Sequence, residues 1–256
     1  MRITILGCGG AGGVPMISRG WGGCDPTNPK NRRLRPSILV GQDDCRILVD
    51  TAPDLREQLI QCGERRIDAV LYTHAHADHV HGLDDLREIN RTMGGPIDVY
   101  AAPQVLQTIN RRFPYAFEPL DMSEKYPFYR PWLTAREITG PFSVNGIDVI
   151  PFEQDHGYIP SMGFRFGPVA YSTDVVTLPE EAFAVLEGIS VWIIGCFTDK
   201  EHPTHAHVDK VLAWIERLKP RRAVLTHMGP GLDYETLRTR LPEGVEPAFD
   251  GMKIQV

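Results

Sequence analysis

Residues 73–82 hold the densest group of side chains that can bind a metal ion. The segment reads Thr-His-Ala-His-Ala-Asp-His-Val-His-Gly, so His74, His76, Asp78 and His79 fall within six positions. Imidazole nitrogens suit zinc, manganese and iron, and a carboxylate adds a hard oxygen ligand that offsets positive charge. Ligands packed this closely could serve two ions. A histidine-rich surface loop is the alternative, but the clustering of a rare residue directly after an apolar run favours a metal site.

A second pattern connects this segment to the rest of the chain. Apolar runs end in a potential metal ligand at Asp50, His74, His156, Asp174 and His227. Each ending alone is weak evidence for a metal ligand, because an Asp after a strand is more often a turn residue. Strand ends nevertheless deliver side chains to one edge of a sheet, where residues distant in sequence meet. The five endings together predict one composite site at such an edge.

The elements that would carry these residues follow from hydrophobic periodicity. Short apolar or β-branched runs predict strands at residues 3–6, 37–40, 46–49, 69–72, 97–100, 147–151, 169–172, 191–194 and 223–225. Longer stretches predict helices at residues 52–62, 83–93, 103–113, 178–187, 209–218 and 232–241. The chain is thus a predicted mixed α/β protein. Because repeats and low-complexity segments are absent, a single domain over residues 1–256 is the simpler interpretation.

One segment interrupts this alternation. The residues from Arg111 to Pro141 are rich in aromatic side chains and prolines. A loop of this length inside a compact domain is often a functional lid, although a plain packing insertion is at least as common. We expect the segment to cover part of the mouth of the site, where aromatic rings could stack on a base or sugar.

Composition argues against a disordered, fibrous or membrane protein. The chain has 256 residues, of which 42% are hydrophobic and 23% charged, a balance typical of soluble globular proteins. Its formal net charge of −6 argues against long nucleic acid as a partner, but a local cluster of cations could still bind a small anion. Five scattered cysteines without a CxxC pair indicate no disulfide framework. Since no apolar run approaches about 18 residues, we expect a cytoplasmic protein without a membrane partner.

The metal-binding residues resemble those of a known family. The segment from His74 to His79 matches the HxHxDH signature of the metallo-β-lactamase superfamily, and the later ligand positions of that family fall on His156, Asp174 and His227. The likeness spans nearly the whole chain. It is nearest to the phosphoribosyl 1,2-cyclic phosphate phosphodiesterases and, more distantly, to the tRNA 3′-processing nucleases. The resemblance implies an αββα sandwich, in which two mixed β-sheets are flanked by helices and the site lies along one edge.

The resemblance also implies a role for each ligand. The implied set is His74, His76 and His156 for one ion, Asp78, His79 and His227 for the second, and Asp174 as the bridge. Asp50 would orient a ligand histidine through a hydrogen bond. Two divalent ions, zinc or manganese, about 3.5–4 Å apart would bind phosphoryl oxygens and lower the pKa of a bridging water. The resulting hydroxide would attack phosphorus in line.

A leaving alkoxide needs a proton donor that is not already a metal ligand. Residues 204–209 read Thr-His-Ala-His-Val-Asp, so His205 and His207 are the candidates. Asp209 is a predicted N-cap for a helix that starts at Lys210. Family members place the catalytic histidine two residues before such a cap, which favours His207, whereas a different gap placement selects His205. Asp78 is counted with these two histidines among the catalytic residues.

Three glycine-rich or charged stretches need separate interpretations. Relatives often carry a cysteine cluster for a structural zinc after the first glycine loop, but residues 21–26 contain only Cys24, so we expect no structural zinc. The run from Lys30 to Arg35 could bind a substrate phosphate, although a charge run is usually a solvated face. Residues 7–12 fit GxGxxG, yet no helix opens after them. They predict a turn near the metal edge and not a dinucleotide site.

We therefore predict a hydrolase that uses two metal ions on a small cyclic phosphate or nucleotide ester. A tRNA 3′-processing nuclease would share the ligands but needs a long arm, and the basic residues of the Arg111 to Pro141 segment are nearly balanced by acidic ones. Another ester or thioester hydrolase of the same fold is disfavoured by Asp78 together with His205 and His207. A non-catalytic metal-binding protein would need no proton donor outside the ligand set. The sequence assigns no substrate-binding residue and is compatible with a homodimer.

Overall fold

In the computed structural model, which describes residues 1–256, the strands within residues 2–137 and the C-terminal strand form one β-sheet, and the strands within residues 142–247 form another. The strands are β1 (Arg2–Gly7), β2 (Ser37–Gln42), β3 (Cys45–Val49), β4 (Ala69–Leu71), β5 (Ile97–Ala101), β6 (Leu133–Glu137), β7 (Phe142–Val144), β8 (Ile147–Asp155), β9 (Pro160–Phe166), β10 (Val169–Ser172), β11 (Val191–Gly195), β12 (Arg222–Thr226), β13 (Val245–Pro247) and β14 (Lys253–Gln255). The α-helices are α1 (Leu55–Cys62), α2 (Ala77–Val80), α3 (Leu86–Met93), α4 (Pro103–Arg112), α5 (Glu180–Leu186), α6 (Val208–Leu218) and α7 (Tyr234–Arg240). No helix combines the length and the apolarity needed to cross a membrane.

Each sheet has seven strands and combines an antiparallel part with a parallel part. The first sheet has the order β14-β1-β2-β3-β4-β5-β6, and its strands run parallel from β3 to β6. The second sheet has the order β13-β12-β11-β10-β9-β8-β7 and is parallel from β10 to β13. Because parallel strands end at the same edge, the residues that follow β3, β4, β10 and β12 can meet there.

Residues along a strand alternate between two buried layers. On β2, Ile38 and Val40 join a cluster of 45 buried residues that includes strands of both sheets, whereas Leu39 joins a separate cluster of 21. The smaller cluster lies between the first sheet and the helices α1, α3 and α4. A strand buried on both faces has no need for polar alternation, which is why such runs read as continuously apolar. The result is the αββα sandwich that the resemblance implies.

All nine predicted strands and all six predicted helices are present, with ends that shift by a few residues. The shorter or less apolar strands β6, β7, β9, β13 and β14 were not predicted. In β9 the sequence is Pro-Ser-Met-Gly-Phe-Arg-Phe, and an internal glycine usually weakens a strand. A Cβ at Gly163 would lie 2.3 Å from Phe152 Cε2, so glycine here allows the ring to pack closely.

The aromatic segment from Arg111 to Pro141 is partly regular. Arg112 is the last residue of α4, a short 3₁₀ helix covers Pro114–Ala116, and β6 forms the edge of the first sheet. Phe113, residues 117–132 and residues 138–141 lie outside the helices and strands. The sequence analysis was therefore wrong to treat the whole segment as a loop, because β6 pairs with β5 despite its mixed polarity.

Candidate metal centre

The five strand endings singled out in the sequence converge at one edge of the sandwich. Asp50 and His74 come from the ends of β3 and β4 in the first sheet, and His156, Asp174 and His227 come from the ends of β8, β10 and β12 in the second. Asp50, Asp174 and His227 adopt left-handed backbone conformations, with φ of 64°, 48° and 55°. After β3, β10 and β12 the chain thus turns away at the residue that carries the functional side chain.

The first group of candidate ligands is His74, His76, His156 and Asp174, whose ligand atoms lie within 4.8 Å of one another. His76 Nδ1 lies 2.9 Å from His74 Nε2 and 3.3 Å from His156 Nε2. The outer nitrogen of His156 donates to the carbonyl oxygen of Thr204 at 2.7 Å. Fixing the outer nitrogen in this way directs the inner one to the common point. His76 is exposed, so this group opens to solvent.

The second group is Asp78, His79, Asp174 and His227, all of them buried. His79 Nε2 and His227 Nε2 lie 3.2 Å and 3.6 Å from Asp78 Oδ2. Asp78 and His79 belong to the single turn of α2, which brings two adjacent residues to the same point. The HxHxDH segment therefore supplies two ligands to each group.

Asp174 lies between the two groups. Its Oδ2 is 3.3 Å from His156 Nε2 and 3.7 Å from His74 Nε2, while its Oδ1 is 3.0 Å from His227 Nε2 and 3.3 Å from His79 Nε2. One carboxylate oxygen thus faces each group. This is the arrangement that a bridging ligand requires.

The second group fits a divalent cation on chemical grounds. Asp78 Oδ2, His79 Nε2 and His227 Nε2 are buried and have no hydrogen-bond partner. Buried polar atoms are rarely left unpaired, because the loss of water is then uncompensated. A cation would accept a lone pair from all three atoms at once, and their nitrogen and oxygen chemistry suits zinc or manganese. The cluster is therefore a divalent-metal site by its donor set.

Asp50 lies behind the second group. Its Oδ2 is 2.7 Å from His79 Nδ1, and its Oδ1 accepts from the backbone N–H of Thr73 at 2.8 Å. Burial alone would disfavour a charged His79, but the carboxylates of Asp78, Asp174 and Asp50 hold its pKa well above the usual value. Asp50 contacts the outer nitrogen of a candidate ligand, as the resemblance implies.

Burial and neighbouring charges shift the pKa values of the candidate ligands. Burial would raise the pKa of Asp174, yet His227 and His79 hold it well below its usual range. In the first group, burial and the neighbouring His79 hold the pKa of His74 well below the usual value. His74 is therefore neutral near pH 7 and keeps the lone pair that a metal ion needs.

Threonines precede the ligands at three strand ends, as Thr73-His74, Thr173-Asp174 and Thr226-His227. All three threonines are buried. The Thr173 hydroxyl donates to Asp174 Oδ1 at 2.8 Å and so restrains the carboxylate between the groups. Thr73 Oγ1 lies 3.0 Å from His74 Nδ1, whereas the Thr226 hydroxyl has no hydrogen-bond partner. The sequence analysis missed the roles of Thr73 and Thr173, although the repeated pairing of Thr with a ligand was visible in the sequence.

His205 lies outside both groups yet contacts a member of each. Its ring centroid is 4.9 Å from that of His156, and it stacks on His227 at 4.8 Å with the planes 24° apart. Burial and the neighbouring His227 lower the pKa of His205 to about 3. Between the two candidate proton donors, the structure therefore brings His205 to the centre.

His207 has a different position. It is the N-cap of α6, and its backbone pairs with Thr198. The predicted cap at Asp209 was wrong, because the helix begins at Val208 and Asp209 lies in its first turn, where an acidic side chain suits the helix dipole. Counting back two residues from the observed cap gives His205, so the alignment argument and the geometry agree once the cap is corrected.

Two more rings surround His205. The ring of His202 is 5.2 Å away and that of Phe197 is 4.9 Å away, measured between centroids. The sequence analysis named neither residue, although His202 stands only three positions before His205. These rings limit how far the His205 side chain can move.

The glycine-rich turn after β1 lies near the second group, as predicted. Gly10 N–H donates to the Met228 carbonyl at 3.2 Å, directly after His227. A Cβ at Gly10 would lie 2.8 Å from Phe197 Cε2 and 3.4 Å from His227 Cε1. Only glycine allows the backbone to approach both rings this closely.

Asp250 holds the start of this turn. Its two carboxylate oxygens accept from the backbone N–H of Cys8 at 3.0 Å and of Leu34 at 2.6 Å. The carbonyl of Cys8 in turn accepts from Met228 N–H at 2.8 Å. Burial raises the pKa of Asp250 to about 6. Asp250 thus supports the backbone next to His227 through Cys8.

The charged run from Lys30 to Arg35 has a structural member at its centre. Arg33 is buried and donates to the carbonyls of Gly229 at 3.2 Å and Leu232 at 2.6 Å. Cys24 Sγ faces the same Leu232 carbonyl at 3.5 Å. Arg33 is therefore not a phosphate-binding residue, because its guanidinium is used to join the loop to the segment after His227.

Comparison with known proteins gives a family match. Residues 45–228 match the model described as "Beta-lactamase superfamily domain". A crystal structure of a new diphosphatase from the PhnP family superposes with a TM-score of 0.89, with 33% identity over 100% of this chain and 97% of that one. Zinc-bound PqqB from Methylobacterium extorquens shares the fold, with a TM-score of 0.78, 21% identity and complete coverage of both chains.

One curated relative is considerably longer than this chain. The octanoyltransferase of Porphyromonas gingivalis is 34% identical over 259 aligned residues, which cover 99% of this chain and 51% of that protein. This chain thus spans about half of the relative's length.

Proposed function

This chain belongs to the metallo-β-lactamase superfamily, and on that premise we propose that it is a two-metal phosphoric ester hydrolase that acts on small substrates. The fold and the His/Asp cluster make it a metallo-β-lactamase-fold hydrolase with a divalent-metal site. The finer proposal concerns the bond that is cleaved. It rests chiefly on the position of His205.

The two groups of ligands described above would each hold one metal ion. The first group would hold one ion, the second group the other, and Asp174 would contribute one oxygen to each. Two bound divalent ions supply charge stabilisation for phosphoryl oxygens and an activated water. Asp50, through its hydrogen bond to the outer nitrogen of His79, orients the ring so that the inner nitrogen faces Asp78 and Asp174. A bound ion would replace the proton that these carboxylates favour on that nitrogen.

His205 supports phosphoester chemistry because it is an imidazole that is not a ligand. A leaving alkoxide has a high pKa and must be protonated as it departs. The His205 ring lies between His156 and His227, so it can reach a group held between the two ions. Burial keeps the free ring neutral, but the negative charge of a bound phosphate ester favours its protonated form. His205 would then give its proton to the leaving oxygen.

Two other functions receive less support. A nuclease for folded RNA needs a large basic arm, whereas the connection between α4 and β6 contains Glu118, Asp121 and Glu124 and the whole chain carries a net charge of −6. The octanoyltransferase name belongs to a protein about twice as long, so that activity can reside in the part that this chain does not match. The related diphosphatase, with nearly full coverage, supports the phosphate ester.

A turnover assay with paired substrates tests the proposal. We expect zinc- or manganese-loaded protein to hydrolyse bis(p-nitrophenyl) phosphate and to leave p-nitrophenyl octanoate almost untouched. Elemental analysis should give about two ions per chain, from the count of seven ligands. Preferential cleavage of the octanoate would favour an acyl hydrolase, and bound metal without turnover of either ester would favour a non-catalytic metal protein.

A further inference from the structure

One arginine is attached to the metal-binding segment. Arg112, the last residue of α4, donates from Nη1 to the carbonyl oxygen of Ala75. Ala75 lies between His74 and His76, and His76 is the exposed member of the first group. The guanidinium of Arg112 therefore lies against the backbone that links two ligands of the first group.

The residues after Arg112 fix this position. The ring of Phe113 packs edge-on against His81, with centroids 6.0 Å apart. The hydroxyl of Tyr115 donates to Asp84 Oδ1 at 2.6 Å. Three successive contacts thus join the end of α4 to the segment that runs from the metal ligands into α3. Because these contacts fix the end of α4 against the metal-binding segment, the Arg112 side chain is held in place before any ligand binds.

Arg112 has donors to spare. A guanidinium carries five N–H groups, and the bond to Ala75 uses one of them. The side chain is exposed and forms no ion pair, whereas Arg217 and Arg240, which are also exposed, pair with Glu180 and Asp199. An anchored arginine without a carboxylate partner is suited to bind an anion.

We propose that Arg112 binds a second phosphate group of the substrate, next to the phosphoryl group that reacts. The inference rests on the proposed function, because the reacting phosphoryl group would occupy the metal centre. That group is already faced by both ligand groups and by His205, while Arg112 contacts the backbone beside His76. A neighbouring phosphoryl group would extend towards Arg112 and meet its planar fork of donors.

Binding measurements with two phosphonates test this subsite. Isothermal titration calorimetry on zinc-loaded protein compares methylenediphosphonate, which has two anionic groups, with methylphosphonate, which has one. We expect the wild-type protein to bind the diphosphonate more tightly. Arg112→Ala should weaken that binding by about 10–100-fold, the effect of losing a charge-assisted hydrogen bond, and should leave methylphosphonate binding unchanged.

Matched variants separate substrate binding from support of the metal segment. Arg112→Lys should fall between wild type and Arg112→Ala, since an ammonium lacks the planar fork. Arg111→Ala removes an exposed arginine from the same helix end and should change neither affinity. Zinc content is measured before and after each titration. Equal weakening of both phosphonates, no weakening of either, or loss of zinc from Arg112→Ala before ligand is added would each overturn the proposal.

This experiment is independent of turnover. If the wild-type protein failed to hydrolyse bis(p-nitrophenyl) phosphate, the proposed function would fail, while the selective loss of diphosphonate affinity in Arg112→Ala would still establish the subsite.

Discussion

The two ligand groups share Asp174 but differ in charge and in exposure. The first contains three histidines and opens to solvent at His76, whereas the second adds Asp78 and is buried throughout. Asp50 reinforces the second group from behind through His79. Attraction between a cation and carboxylates is stronger where water is excluded. We therefore expect the second group to bind its ion more tightly than the first.

Asp174→Ala should disable both ligand groups at once. The carboxylate gives one oxygen to each group, so its loss weakens both sites at once. We expect turnover of bis(p-nitrophenyl) phosphate to fall to background and metal content to fall well below that of the wild type. Circular dichroism should show that the fold persists. Near-normal turnover in this variant would contradict the ligand assignment.

His205→Ala should leave both groups filled and damage only one kind of reaction. An ester with a poor alkoxide leaving group should lose about 10²–10⁴-fold in turnover, whereas a p-nitrophenyl ester should lose little, because p-nitrophenolate leaves without a proton. Metal content should stay unchanged. His207→Ala is the matched control, since His207 caps α6 instead of contacting the centre. A selective loss in His207→Ala and not in His205→Ala would reverse the assignment.

Stepwise removal of metal tests whether the two groups bind their ions with different affinities. As chelator is added, we expect one ion to leave first and His76→Ala to retain about one ion, held by the buried group. The two affinities should differ by at least about tenfold, which corresponds to about 1.4 kcal/mol. Equilibrium dialysis with elemental analysis gives both numbers. If His76→Ala lost both ions together, the two groups would bind as one unit.

The smallest expected effect concerns Asp250, which supports the backbone beside His227. Its pKa of about 6 in the folded protein lies above the usual 3.8, so the folded state binds the proton more tightly than the unfolded state does. Its contribution to stability should therefore rise as pH falls through about 6. Between pH about 7.5 and about 5, wild type should gain about 1–1.5 kcal/mol in unfolding free energy relative to Asp250→Asn. Urea unfolding of both metal-free proteins measures this difference, and a pH-independent difference would refute it.

Local sequence was sufficient to predict the positions of most strands and helices and the candidate ligands, whereas the αββα arrangement and the division of the ligands between two ions came from the family resemblance. The nine predicted strands and the HxHxDH segment depend on residue type and short spacing, which the sequence displays directly. The choice between His205 and His207 depended on one helix start, and a cap misplaced by two residues reversed it. Sequence periodicity has no such precision at the ends of helices.

Contacts between distant elements could not be predicted. Arg112 and Ala75 are 37 positions apart, and nothing in either stretch indicates that α4 ends beside the metal ligands. Likewise Arg33 reads as part of a solvated charge run, yet it is buried against carbonyls almost 200 residues further along the chain. These roles arise from the meeting of two surfaces, which no single segment specifies.

The left-handed backbone at Asp50, Asp174 and His227 lowers the stability of the fold while it places the side chains of the centre. Residues other than glycine hold such conformations at about 1–3 kcal/mol each, and a whole domain is stable by only about 5–15 kcal/mol. Glycine at any of the three positions would relax the backbone and abolish the side chain that the centre needs. A sequence optimised for stability alone would therefore lose this site, because the strain at these three positions serves the placement of the side chains and not the folding of the chain.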